Sequence, residues 1–227
     1  MNRNIFQLDN CKLCPLECGV NRLTSKGVCG ANGIRLAKYY LHPFEEPCIS
    51  FKNGSGTIFF SGCSLRCVFC QNYELSRAER GKDFSPKALA YIFKELEDKG
   101  AENISLVTAG HLIPYLLPAF EIYKPKIPVV YNTGSYEKID TLKHIDPYVD
   151  IYLPDMKYAD DSLAFRLSGA KDYFAVAFVT LADVSTTTFY VHVATGTEGI
   201  GTHPFLFALS LLARRVGASK NNDSNGT

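Results

Sequence analysis

The chain has 227 residues, 46% of them hydrophobic and 21% charged, with 24 basic against 23 acidic side chains and a formal net charge of +1. That length suits one domain of ordinary size with at most a small appendage, and the composition is that of a folded globular chain. The charge balance lacks the basic excess with which a dedicated nucleic-acid binder neutralises phosphates. The start, MNRNIFQLDN, has no apolar signal core, and the longest strongly apolar stretch, residues 204–213, is well short of the ~20 residues needed to cross a bilayer. The expectation is a cytoplasmic protein with neither a membrane nor a nucleic-acid partner.

In chain order, residues 1–50 read as a small Cys-rich amino-terminal module with few apolar runs. Asn53-Gly54-Ser55-Gly56 supplies turn residues, after which Thr57 to Ser61 (TIFFS) reads as a strand. Ser85 to Lys99 opens with Ser-Pro, carries Leu89, Ile92, Phe93 and Leu96 at helical spacing and is followed by Gly100, so a helix is predicted there. The pattern then alternates: strand 103–108, helix 112–123, strand 127–131, helix 136–144, strand 150–153 and helix 159–169. Strands alternating with helices predict parallel βαβ units, in which ligands sit beyond the carboxyl ends of the strands. Polar residues follow each strand there: Gly62 and Cys63, Thr108 to His111, Asn132 to Ser135, and Asp155 to Lys157. Residues 219–227 are polar enough to predict a disordered tail.

The eight cysteines all fall within the first 70 residues. In a reducing compartment such spacing points to metal or catalysis rather than to a disulfide scaffold. Thiolates are soft ligands that select iron–sulfur clusters, zinc or copper(I). Cys63-x3-Cys67-x2-Cys70, directly after a buried strand, could bind three irons of a cubane and leave the fourth without a protein ligand, and an open position marks a catalytic site. The bland alternative, one face of a buried helix, is disfavoured by Gly62, Ser64 and Arg66. Cys11-x2-Cys14-x3-Cys18-x10-Cys29 could close a four-thiolate site around zinc or a second cluster, or be reduced cysteines without metal. Cys48 stands alone and reads as a buried packing residue.

The run SGCSLRCVFCQN resembles the cluster loop of radical S-adenosylmethionine (SAM) enzymes. Together with CKLCPLECGVNR, ISLVTAGHLIP, VVYNTGSYE, DIYLPDMKY and KDYFAV, it is similar to the uncharacterised homologues of the pyruvate formate-lyase activating enzyme, over a span reaching about residue 177. The resemblance implies an α/β fold, a partial (β/α) barrel over residues 51–218, and a [4Fe–4S] cluster on Cys63, Cys67 and Cys70. It implies SAM as second cofactor, cleaved by one-electron reduction to a 5′-deoxyadenosyl radical that abstracts hydrogen from a substrate. By the same analogy Phe69 packs near the adenine, Thr108 to His111 replace the methionine-binding loop, and Asn132, Asp155 and Lys157 reach the carboxylate or ribose. Gln71 and Asn72 stand behind the cluster ligands. Implied partners are an electron donor such as flavodoxin or ferredoxin and an unknown substrate, a glycyl radical enzyme being one choice. Relatives usually read Val-Thr-Pro-Thr-His where this chain has Val107-Thr108-Ala109-Gly110-His111.

Duller readings stand beside these. His111 could cap the following helix, Asp155 and Lys157 could form a surface ion pair, and residues 132–135 could be an ordinary turn. From about residue 178 the chain departs from the family pattern. Either residues 189–194 and 204–215 supply a replacement strand and helix, or this end is aberrant and the barrel truncated. Three functional classes follow: an activating-type radical SAM enzyme, a non-catalytic iron–sulfur or zinc protein with a truncated barrel, and a zinc-stabilised interaction module.

Overall fold

The computed structural model describes residues 6–183. After the cysteine-bearing loops come β1 (Ile34–His42), α1 (Pro47–Ser50), β2 (Ser55–Phe60), α2 (Tyr73–Ser76), β3 (Lys82–Phe84) and α3 (Pro86–Asp98). Then follow β4 (Ile104–Val107), α4 (Ile113–Ile122), β5 (Val129–Thr133), α5 (Ile139–Ile145), β6 (Ile151–Pro154), α6 (Asp161–Ser168) and α7 (Tyr173–Asp183). The expected strand 189–194, helix 204–215 and tail 219–227 lie outside the described residues.

The strands form one sheet in the order β3-β1-β2-β4-β5-β6. β2, β4, β5 and β6 run parallel, with Gly56 opposite Ile104, Ile104 opposite Val129 and Val130 opposite Ile151. This is the expected α/β architecture, the strand–helix alternation of a partial (β/α) barrel. Two antiparallel strands extend it: β1 pairs with β2, and β3 pairs with β1. β1 thus takes residues 34–42, read from the sequence as part of the amino-terminal module, into the main sheet. Only Ile34 and Leu36 of β1 are fully buried, so its lysine and tyrosines hide the strand from a search for apolar runs.

Local chemistry explains the elements that the sequence makes legible. Ser85 accepts a hydrogen bond from the Ala88 N–H (3.2 Å) at the head of α3, and Pro86 needs no partner in the first turn. Asp160 does the same for α6, accepting from the Leu163 N–H at 2.7 Å, and Gly169 ends that helix in the left-handed region at φ +75°. Boundaries move where tertiary pairing overrides composition. β2 begins at Ser55, inside the expected turn, because the Gly56 N–H donates to the Asn103 carbonyl at 2.8 Å. β5 extends to Thr133 because Asn132 and Thr133 pair with Leu153 and Pro154. α5 starts at Ile139 rather than Tyr136, since Ser135 has φ +61° and residues 134–138 turn Tyr136 and Glu137 inward.

The main core lies on the helix side of the sheet. Ile58, Phe60, Ile104, Leu106, Val129 and Tyr131 pack against Leu89, Phe93, Leu96, Leu116 and Phe120. Phe120 stacks between Phe93 and Tyr148, with centroids 4.9 Å from each. Each such side chain contributes roughly 1.5–3 kcal/mol by burial. On the opposite face Ile49 of α1 packs against Val130 and Leu153. That packing corrects the expectation for Cys48: α1 spends its inward face on Ile49 and Ser50, so Cys48 is exposed and fills no core position.

Candidate functional site

β2 ends at Phe60, and the cysteine loop begins. Gly62 has φ +89°, and a Cβ there would collide with the Cys29 carbonyl oxygen, so this turn accepts glycine alone. The Cys63 N–H donates to that same carbonyl at 3.1 Å, the Gly62 N–H to the Leu75 carbonyl at 2.7 Å and the Val68 N–H to the Leu167 carbonyl at 2.9 Å. The loop is therefore held from three sides: the amino-terminal module, α2 and α6. Leu65 and Cys67 are buried among Tyr136, Tyr158, Ala164 and Tyr173, and Cys63 and Cys70 pack at the edge of that cluster.

Burial pushes the Cys63 and Cys67 thiols above the ordinary thiol range, and the neighbouring sulfurs push the same way. Lys157 lies beside both sulfurs. Its own burial opposes its charge, but Asp155, Cys67 and Cys63 outweigh that and hold it protonated. The hydroxyl of Tyr158 has no well-formed hydrogen-bond partner and lies against the Cys67 thiol. Thiols that are costly to ionise alone become thiolates when a cationic metal centre shares their site. Three interacting thiols in an aromatic shell, with a cation beside them, fit a thiolate-bound cluster. Among the described residues no three His, Cys, Asp or Glu side chains converge closely enough to hold one metal ion. A cubane asks for no such convergence, because each cysteine takes a separate iron.

The strand-end residues gather around this loop unevenly. Thr108, at φ +59°, donates its N–H to the Asn132 carbonyl at 2.9 Å, joining the ends of β4 and β5. Lys157 Nζ donates to Asp155 Oδ2 at 2.7 Å; the two side chains are 32% and 28% exposed, so they form a half-buried pair next to the cysteines. Phe69 is 40% exposed and meets Tyr158 edge-on at 5.7 Å. Asn72 is exposed, precedes α2 and makes no side-chain cap, and Gln71 is exposed beside it. His111 does not cap α4. It is buried, its Nε2 donates to the Ser61 carbonyl at 3.1 Å, and burial lowers its pKa to about 4, so the ring is neutral beneath the cluster loop.

The amino-terminal cysteines also come together. Cys11, Cys14 and Cys29 are buried and Cys18 is half-buried. Cys18 packs against the buried Cys11; Cys14 feels Cys29 and Cys11; and Cys29 feels Cys11 and Cys18. Burial pushes Cys14 up to about 12. The segment docks on α5, with Thr141 Oγ1 donating to the Leu13 carbonyl at 2.8 Å and Lys138 paired with Glu17 at 2.6 Å.

Three residues here escaped the sequence reading. Arg22 is 1% exposed, donates from Nε to the Ala31 carbonyl (3.0 Å) and from Nη1 to the His111 carbonyl (2.7 Å), and lies over the Tyr115 ring. Glu137 is buried against Gly110, accepts from Thr133 Oγ1 at 2.6 Å, and burial raises its pKa to about 7. Tyr173 accepts from the Lys157 N–H at 2.8 Å, and its hydroxyl lies 2.8 Å from the Gly134 carbonyl and 3.1 Å from that of Asp155. It ties the loops after β5 and β6 together. Arg22, Glu137 and Tyr173 fall within CKLCPLECGVNR, VVYNTGSYE and KDYFAV, and their place in those runs is the only sequence signal each carries.

Comparison with known proteins places this arrangement. The model of the Radical SAM superfamily matches residues 57–193, well over half of the chain, and the chain belongs to that superfamily. An uncharacterised protein of Methanocaldococcus jannaschii is 35% identical over 184 residues, 77% of this chain and 52% of that protein. The pyruvate formate-lyase-activating enzyme of Clostridium pasteurianum is 30% identical over 118 residues, 46% of each chain. The chain thus spans about half the length of these curated relatives. Among solved structures, HydG, a maturase of the [FeFe]-hydrogenase, overlaps 59% of this chain and 33% of its own at 14% identity and a TM-score of 0.43. Streptococcus suis SuiB bound to S-adenosylmethionine overlaps 62% of this chain and 40% of its own at 20% identity and a TM-score of 0.39. Membership carries with it a [4Fe–4S] cluster and SAM as cofactors. No helix among the described residues is long and apolar enough to cross a membrane.

Proposed function

We propose that this protein is a radical SAM enzyme in which Cys63, Cys67 and Cys70 bind the [4Fe–4S] cluster and the strand-end residues bind SAM. The observation that carries the reading is the gathering of these three thiols at the carboxyl end of β2, beside Lys157, in a chain of this superfamily. When bound, the cluster and SAM supply a one-electron cleavage that yields methionine and a 5′-deoxyadenosyl radical able to abstract hydrogen.

The chain's own residues bind, orient and shield. Cys63, Cys67 and Cys70 would hold three irons of the cluster and leave the fourth open to an amino-acid chelate. The half-buried Lys157 is a cation for a carboxylate or ribose oxygen, and Asp155 holds its ammonium in place. Thr108 and Asn132 close the floor between β4 and β5, and Phe69 offers a partly exposed ring at the rim. Tyr158 and Tyr173 back the loop and keep water from it. Substrate and partners extend this reading: the Clostridium relative supports a glycyl radical enzyme as substrate, and a flavodoxin- or ferredoxin-type donor would supply the electron. The proposed compartment is the reducing cytoplasm, where thiols stay available for metal.

The test is SAM cleavage by anaerobically reconstituted protein with a strong reductant. Release of 5′-deoxyadenosine and methionine is expected, together with its loss in the Cys63→Ala, Cys67→Ala, Cys70→Ala triple variant. An intact, reducible cluster that yields no 5′-deoxyadenosine would establish the non-catalytic iron–sulfur reading instead.

A further inference from the structure

We propose that Cys11, Cys14, Cys18 and Cys29 ligate a second iron–sulfur cluster, with Arg22 donating a hydrogen bond to its sulfur. The inference rests on the radical SAM reading only in that both clusters would be assembled in the same cell and chain.

Two independent observations meet at this place. The first is the sulfur set itself. Four cysteines from three separate turns fold into one neighbourhood: Cys18 packs against the buried Cys11, and Cys14 and Cys29 lie within electrostatic reach of Cys11. The turns are stiff: the Cys11 N–H donates to the Val20 carbonyl (3.1 Å), the Gly19 N–H to the Cys11 carbonyl (3.0 Å) and the Gly30 N–H to the Gly27 carbonyl (2.8 Å). The second is Arg22. It is the largest fully buried side chain of the described residues, and its Nη2 has no hydrogen-bond partner. Its guanidinium acts electrostatically on both Cys18 and Cys29.

An unpaired donor on a buried, permanently charged group is strongly unfavourable unless an anion shares its site. Four thiolates around a cluster carry net negative charge, and both cysteine and bridging sulfurs accept hydrogen bonds. Such a group satisfies Nη2 and neutralises the guanidinium together. Zinc fits less well. A mononuclear ion draws its sulfurs onto one point, and no three candidate ligands here converge in that way. A cubane sets each thiolate on its own iron and tolerates the wider spacing. Four cysteine ligands leave no open iron, so this site does not bind SAM.

The experiment begins with the whole protein, reconstituted anaerobically with iron and sulfide. About eight irons per chain are expected, in two reduced electron paramagnetic resonance signals of which one changes on adding SAM and the other does not. The triple variant Cys63→Ala, Cys67→Ala, Cys70→Ala should keep about four irons and only the SAM-insensitive signal. Arg22→Gln should shift the reduction potential of that signal to more negative values, because it removes a positive charge and a donor beside the sulfurs. About four irons in the wild type, or one zinc and no iron in the triple variant, would overturn the inference. If the wild type fails to cleave SAM while the triple variant keeps its iron, the proposed activity falls and the second cluster stands.

Discussion

The two cysteine sets of this chain solve the same problem in opposite ways. Cys63, Cys67 and Cys70 stand on one loop that directly follows the parallel strand β2, and draw their surroundings from distant elements: α6, α7 and the loops after β5 and β6. Cys11, Cys14, Cys18 and Cys29 are spread over three turns and draw theirs from a single buried arginine and the docking face of α5. The first set is compact in sequence and has a half-buried ion pair beside it, the arrangement of a site that meets a ligand. The second has four sulfurs and a closed, buried base. Number of thiols and access, rather than spacing alone, underlie the different roles proposed for the two sets. The two meet at one seam, where Cys29 accepts from the Cys63 N–H, Gly62 packs against that carbonyl, and His111 links Ser61 to Arg22.

Breaking the seam should have the largest effect. Gly62→Ala places a methyl group against the Cys29 carbonyl in a left-handed backbone, so a loss of at least about 2 kcal/mol is expected. Chemical denaturation should show it, and iron content of both sets should fall together. If only one set loses iron, the two regions are independent.

His111 gives the seam a pH dependence of comparable size. Its folded pKa, about 4, lies below the ordinary 6.5, so its neutral burial stabilises fully above pH 6.5 and that stability is lost as pH falls from 6.5 through 4. The shift corresponds to about 3 kcal/mol. Melting temperature measured across that window should drop in the wild type and drop less in His111→Gln, where no proton is gained.

A smaller effect sharpens the comparison on the ligand side. Tyr173→Phe removes the hydroxyl that meets the Lys157 N–H and the Gly134 and Asp155 carbonyls. It should cost about 1–3 kcal/mol of stability and weaken SAM binding, read by titration of the cluster signal, while metal on the amino-terminal set is unchanged. The smallest effect is expected at Cys48. Being exposed and outside both sets, Cys48→Ser should shift stability by less than about 0.5 kcal/mol and leave iron content at the wild-type value.

The legible parts of the fold are those whose cause is local. Helix α3 is visible because Ser85, Pro86 and the apolar stripe through Leu96 lie within a dozen residues, and the parallel strands are visible as short apolar runs because both of their faces are buried. β1 is not legible in the sequence, because Ile34 and Leu36 are buried only by joining the main core between β2 and β3, while its charged positions face outward. The exposure of Cys48 is not legible in the sequence for a related reason: a cysteine's burial depends on which way a four-residue helix faces, and that is set by Val130 and Leu153 from distant strands.

The sequence by itself determined the strand–helix alternation, the cysteine loop after the first parallel strand and the resemblance that led to the superfamily, since spacing along a chain is written in it. Only the tertiary structure decided that His111 is a buried neutral link rather than a helix cap, that Asp155 and Lys157 stand beside Cys63 and Cys67 rather than on open surface, and that Tyr173 joins the loops around them. It also turned Arg22, one of 24 basic residues in the composition, into a fully buried cation with an unpartnered donor near Cys18 and Cys29. The reason is the same in each case. The environment of a polar side chain is made by residues far away in sequence, and its charge, its partner and its chemistry follow from that environment.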